Sequence, residues 1–246
     1  MDFRRLVSEP CIYIKENNSK EITCIIAIYV DDILLAGKSK EIMYIKEQIK
    51  MYFNIKDIGD VDFVIGIKFE KCHDGYTIYQ KQYIKDLLVK FKLTNSPSIK
   101  NLKPTDNYDL RKGTYDESLY GSAIGNLIYL AVCARPNIMF TVNKAARRSK
   151  NLKYTIDYSI NFTKDWQLKI FVDVDHTGDV ESRKSTFWFL MMIGTSPTSW
   201  YSKLQKFVAT STAESEYYSV SDCAMHSLRY INILNEFNIK ISYVNH

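Results

Sequence analysis

Ile25-Ile26-Ala27-Ile28-Tyr29-Val30-Asp31-Asp32-Ile33-Leu34-Leu35-Ala36-Gly37 is the stretch on which the reading of this chain turns. Two apolar runs of the kind that favours a pleated, buried sheet meet at adjacent carboxylates. Asp tolerates turn geometry, so the pattern predicts a buried hairpin with Asp31 and Asp32 in its tight turn. Two like charges at the tip of a buried hairpin call for a cation. Paired carboxylates holding divalent metal are the arrangement that aligns an oxygen nucleophile with a phosphate. Solvated turn chemistry accounts for an isolated Asp-Asp equally well, so the dipeptide decides nothing without its flanks.

Working outward, Cys11–Lys15 and Ile22–Val30 read as strands around a polar turn, which makes the Asp-Asp strand part of a meander. Beyond Gly37, Ser39 is the candidate N-cap of a helix whose Ile42, Ile45, Ile49 and Phe53 recur at helical spacing. Phe63, Ile65, Ile67 and Phe69 alternate with smaller or polar residues as a strand does. His73-Asp74-Gly75 then gives a turn into Tyr76–Tyr79. Gln82–Phe91 is predicted helical, with Tyr83, Ile84, Leu87, Leu88 and Phe91 on one side and a row of lysines opposite. Thr94–Ser118 carries Pro97, Pro104 and Gly113 and reads as a linker. Leu119–Ala134 is an apolar helix with Ile124, Leu127, Ile128 and Ala131 on one face, and Pro136 can open the next helix. Lys144, Arg147, Arg148, Lys150 and Lys153 form the densest basic cluster, suited to a phosphate backbone and equally to a solvated helix face.

In the last third, Leu168, Ile170 and Val172 alternate into Asp173-Val174-Asp175. Thr186–Gly194 and Thr198–Ala209 read as two further strands, then Thr212–Phe237 as a long helix, then Ile239–Val244 as the start of another strand. The helix stripe expected to be buried is Tyr217, Val220, Ala224, Leu228, Ile231 and Leu234. Ser211-Thr212-Ala213-Glu214 has capping-box spacing, which gives Glu214 a structural task. Glu216 lies beside the expected buried stripe, where an unpaired charge is costly without a cation. Asp173 and Glu216 are therefore the candidate metal ligands here, with Asp175 and Asp179 as nearby loop residues.

The bulk numbers bound the answer. At 246 residues the chain has room for one large domain or two modest ones, and 46% hydrophobic with 25% charged residues makes it globular. A formal net charge of +5 permits a polyanionic partner without demanding one. Five cysteines without paired spacing argue against a disulfide framework or zinc site and for a reducing, intracellular setting, cytoplasmic or nuclear. No run is long and apolar enough to suggest a membrane span.

Tyr29-Val30-Asp31-Asp32 between apolar strands resembles the active-site hairpin of reverse transcriptases, in the version found in copia-type retrotransposon Pol polyproteins. Further blocks resemble that family in order: Phe53–Gly59, Gln82-Tyr83, Gly121–Leu130, Arg135-Pro136-Asn137-Ile138, Asp173–Asp179, Arg183-Lys184-Ser185-Thr186, Ser199–Lys203 and Ser211–Tyr217. The resemblance implies RNA-directed DNA polymerase followed by ribonuclease H. Asp31, Asp32, Asp173 and Glu216 would be the catalytic metal ligands, Mg2+ the cofactor, and an RNA/DNA template-primer or hybrid the partner.

The fold implied is α/β (α+β). Residues 1–92 would be a partial reverse-transcriptase palm with the start of the thumb, 93–160 a linker and helical thumb or connection region, and 161–246 the N-terminal part of a ribonuclease H-like domain. That last part would be an incomplete mixed sheet with one long helix. The pattern also breaks. An upstream palm strand with a further Asp is expected by the family and absent, the connection near Arg148 is shorter, and Asn245 falls where another carboxylate ligand belongs. A neutral amide does not replace a carboxylate between two divalent ions. The expectation is a Pol segment inactive by itself. The alternatives are a retained nucleic-acid-binding module using the Lys144–Lys153 cluster, or an enzyme whose missing ligands come from another chain or Pol segment.

Overall fold

The computed structural model describes residues 2–95, 117–145, 156–179 and 182–243. Its described elements are mixed α/β: three antiparallel sheets and five helices. They fall into two compact units, one from the described residues of Met1–Val64 with Ala224–Ser242, the other from those of Ile65–Cys223 with Tyr243.

In the first unit, β1 (Arg4–Arg5), β2 (Ile12–Glu16), β3 (Ile22–Tyr29) and β4 (Asp32–Gly37) form a sheet in that order. Helix α1 (Ser39–Tyr52) covers one face, packing Ile45 and Ile49 on Cys24 and Ile26. Strand alternation puts Cys24 and Ile26 on the same side, which is why the period-2 and helical patterns mesh here. Two local expectations change. The N-cap is Lys38, with Ser39 already helical, and Phe53 is the extended C-cap residue, 67% exposed rather than a core position. The last turns of α5 (Thr212–Glu236) also belong to this unit. Glu236 accepts the backbone N–H of Val7 and of Ser8, each at 2.9 Å, and Arg229 pairs with Glu9 at 2.6 Å. The Ser8 side chain, together with those two N–H bonds, holds the Glu236 carboxyl below its ordinary pKa.

In the second unit, β6 (Ile67–Cys72), β7 (Gly75–Tyr79) and β8 (Ile160–Phe162) pair antiparallel in order, with His73-Asp74 as the turn and Gly75, expected within it, already in β7. β5 (Phe63–Val64) precedes them in the chain. Helices α2 (Lys81–Lys90), α3 (Glu117–Ala134) and α4 (Pro136–Ala145) share a core of Ile84, Leu87, Leu88, Leu127, Leu130 and Ile138. Pro136 opens α4, and Leu130 rather than Ile128 faces that core, Ile128 being 46% exposed. β9 (Gln167–Asp175), β10 (Thr186–Ile193), β11 (Ser196–Leu204) and β12 (Ser242–Tyr243) form the third sheet in the order β11-β10-β9-β12, so the expected meander is present.

The expected stripe of α5 is overturned. Tyr217, Val220 and Leu228 are 80%, 56% and 49% exposed, while Ser215, Ser219, Cys223 and Ser227 are buried. The reason lies in the sheet. Phe187 and Phe189 are buried on β10, and Phe187 meets Tyr218 of α5 edge-on at 6.2 Å, so in this unit the residues that α5 buries, Ser215, Ser219 and Cys223, are small. The buried hydroxyls are satisfied along the helix: Ser219 donates to the Ser215 carbonyl at 2.7 Å. Buried Gln205 donates to the same carbonyl and to Ser219 Oγ.

Candidate functional site

The Asp31-Asp32 hairpin forms because β-branched Ile25, Ile26 and Ile28 favour extended backbone and pair across to the β4 run. Tyr29 pairs with Asp32, so the turn residues are Val30 and Asp31, and Asp32 already begins β4. This corrects the expected placement of both carboxylates in the turn. A two-residue hairpin turn demands positive φ, and here Val30 supplies it at 52°. A β-branched residue in that region stores strain, of the order of 1–3 kcal/mol. The tip is also open rather than buried: Tyr29 is 59% and Val30 83% exposed, and both aspartates are exposed. Asp32 shares a sheet face with Leu34 and Ala36. Ile33, Leu35 and Gly37 lie on the α1 side.

Asp173 sits near the end of β9, exposed, opposite Trp188 of β10. The Trp188 indole N–H donates to Asp173 Oδ2 at 3.1 Å and the Val174 N–H to Oδ1 at 2.9 Å. Phe187, on the other side of the sheet, meets α5. Alternation therefore gives Asp173 the face that α5 does not cover. Glu216 is exposed in the first turns of α5, and the buried stripe invoked beside it is not there. Glu214 does the capping work foreseen. Ser211 Oγ accepts the Glu214 N–H at 3.1 Å, and Glu214 accepts the Thr210 N–H and hydroxyl at 2.6 and 2.7 Å, which lowers its pKa. Asp179 is a loop organiser, accepting the Ser182 N–H at 2.9 Å.

Of the basic cluster, Lys144 falls in the last turn of α4, whereas Arg147, Arg148, Lys150 and Lys153 lie outside the described residues, as do Asn245 and most of the Thr94–Ser118 linker. Lys81 is paired with Asp157, and Lys90 donates to Ser122 Oγ at 3.1 Å. Two features escaped the sequence. Trp188 as the partner of Asp173 depends on cross-strand register. Arg135 is a buried guanidinium, 1% exposed, under the Tyr158 ring at 5.6 Å and lowered by burial to about 10. Only its place before Pro136 hinted at a fixed role.

A pair of divalent ions needs several carboxylates converging at one place. Among the described residues, no group of three or more His, Cys, Asp and Glu side chains comes together at a spacing that could hold a metal ion. Asp31 with Asp32 is a pair without a described third carboxylate, and Asp173 has both oxygens engaged by N–H donors. As they stand, these residues do not fit a two-metal centre.

Comparison with known proteins gives the lineage. Residues 1–104 match the family model described as reverse transcriptase (RNA-dependent DNA polymerase). The retrovirus-related Pol polyprotein from transposon TNT 1-94 of Nicotiana tabacum is 29% identical over 96% of this chain and 20% of its own length. The chain belongs to the retrotransposon Pol polyproteins. The Pol polyprotein from transposon RE1 of Arabidopsis thaliana is 27% identical over 98% of this chain and 18% of its own length. This Pol chain thus spans about a fifth of the length of those curated relatives. An uncharacterised mitochondrial protein of Arabidopsis thaliana is 29% identical over 77% of the chain and 87% of its own length. No solved structure matches. Reverse transcriptases typically use divalent metal and act on nucleic acid. Among the described residues no helix is long and apolar enough to cross a membrane.

Proposed function

We propose that this Pol chain derives from a palm hairpin (within 1–92), a helical thumb or connection region (93–160) and the opening of a ribonuclease H domain (161–246), and that it catalyses neither reaction by itself. The observation that carries this reading is the dispersal of its carboxylates, none of which, among the described residues, gathers into a group of three. The ribonuclease H assignment is supported by the sheet order β11-β10-β9-β12. Three antiparallel strands are followed by a helix and then a strand returning beside the first, and Asp173 lies on that first strand. The palm assignment is supported by the exposed Asp31-Asp32 tip on a strained two-residue turn. The partner such a chain meets is a primer–template or hybrid, and Lys144, Arg147, Arg148, Lys150 and Lys153 are the candidates for its phosphate backbone. Five free thiols, two of them buried, suit a reducing compartment.

The test is a magnesium-dependent assay of primer extension and of RNA–DNA hybrid cleavage with the purified chain. The expected result is turnover at background level in both. Extension abolished by Asp31→Asn, or cleavage abolished by Asp173→Asn, contradicts the reading.

A further inference from the structure

The second unit brings two helix starts to one place. Gln80 precedes α2 and Arg135 precedes α4. Each lends its carbonyl to an early bond of its helix, from the Ile84 N–H at 3.0 Å and from the Ile138 N–H at 3.2 Å. Ile78, two residues before Gln80, and Ala134, immediately before Arg135, pack in one buried cluster with Ile160. Both starts also meet the same two consecutive residues: Lys81 pairs with Asp157, and Arg135 lies under the ring of Tyr158.

The chemistry gathered there is cationic. A helix start carries partial positive charge and N–H groups without a helical acceptor, and neither α2 nor α4 has an acidic residue in its first turn. Arginine has the wrong sign for such a position, yet this guanidinium is 1% exposed, its plane fixed by the bond from Nε to Asn137 Oδ1 at 3.1 Å. Gln80 is 2% exposed and its side chain makes no capping bond to α2. Among the described residues neither its Nε2 nor its Oε1 has a hydrogen-bond partner. A buried amide in that condition is costly, and it calls for a group that both accepts and donates.

We propose that Gln80, Arg135 and the start of α2 enclose a site for one hydrogenphosphate ion, with the Tyr158 ring as its cover. Sulfate, chloride and ionised carboxylates only accept hydrogen bonds, whereas hydrogenphosphate also carries a P–O–H. Its oxygens accept from Gln80 Nε2 and from the guanidinium, and its hydroxyl donates to Gln80 Oε1. Its negative charge suits both the arginine and the helix start. Tyr158 is 50% exposed, which makes its ring the side from which the ion enters. None of the candidate metal ligands takes part, so the site does not depend on the catalytic reading above.

Isothermal titration of inorganic phosphate into the full chain near neutral pH, with ionic strength held by chloride, tests it. Saturable binding of a single phosphate is expected, with sulfate bound roughly tenfold more weakly because it donates nothing to Oε1. Gln80→Leu keeps a similar volume and removes both amide groups. It is expected to weaken phosphate by about tenfold or more with an unchanged far-ultraviolet circular dichroism spectrum. Gln80→Glu sets a second negative charge against the ion and is expected to abolish binding, a comparison that holds even where the leucine variant fails to fold. Adenosine monophosphate is expected not to compete, since the site closes around the free ion. Absence of saturable phosphate binding overturns the proposal. Binding that both Gln80 variants leave intact also overturns it and places the ion on exposed lysines. Equal affinity for sulfate contradicts the role given to Oε1, and competition by adenosine monophosphate contradicts the closed site and makes the ligand a nucleotide.

Discussion

At the scale of single residues, carboxylates that look alike in the sequence do different work. Glu214 and Glu236 accept backbone N–H groups and are held below the ordinary value of 4.5, whereas Asp31 and Asp32 stand in solvent at a hairpin tip. The lowered pair sets a sign for pH dependence. A carboxyl whose folded pKa is depressed stabilises the fold fully above its unfolded value, and that contribution disappears as pH falls through the folded pKa. The urea midpoint of the wild-type chain is therefore expected to drop as pH is taken from about 5 toward about 3, in the range where carboxyls protonate. Glu236→Gln is expected to lower the midpoint near neutrality and to narrow its gap to wild type across that interval. A constant gap would assign Glu236 no part in the acid response. Spacing made the capping role of Glu214 legible, because a capping box is local. The partners of Glu236 lie 229 and 228 residues away and leave no local pattern.

At the scale of elements, periodicity located most strands and helices, missed β1 and β8, ran β5 and β6 together, and misjudged which face of α5 is buried. Leucines, valines and tyrosines at helical spacing suggested the stripe on α5, yet β10 presents Phe187 to Tyr218 of the helix, and the residues that α5 buries there are Ser215, Ser219 and Cys223. Hydrophobicity read along one element says nothing of the volume offered by its neighbour. The hairpin shows the same limit. Its strands were evident, but turn register moved Asp32 into β4 and left Val30 at positive φ. Trp200 shows how a side chain joins elements that are far apart in sequence. Its indole N–H donates to the Ala131 carbonyl at 2.6 Å, satisfying one of the last-turn carbonyls that α3 leaves without a helical partner. Trp200→Phe keeps most of the packing and removes that donor. It is expected to cost about 1–3 kcal/mol, read from the shift in urea midpoint at constant slope. A change within error would mean that water serves that carbonyl as well as the indole does.

At the scale of the whole molecule, lineage was more legible than assembly. Ordered short blocks sufficed to recognise the Pol family, because they record turns, caps and strand ends that a shared fold repeats. Whether carboxylates from distant elements converge depends on sheet faces and register, and there Asp173 takes the face of its sheet opposite the one on which α5, the helix of Glu216, packs. The account holds that the acidic residues of this chain do not seat a pair of divalent ions. Titration of Mn2+ into the full chain, followed by electron paramagnetic resonance of the free ion, tests that most directly. The account predicts only weak, salt-sensitive association that Asp31→Asn and Asp173→Asn leave unchanged. Two tightly held ions per chain, lost on those substitutions, would contradict it.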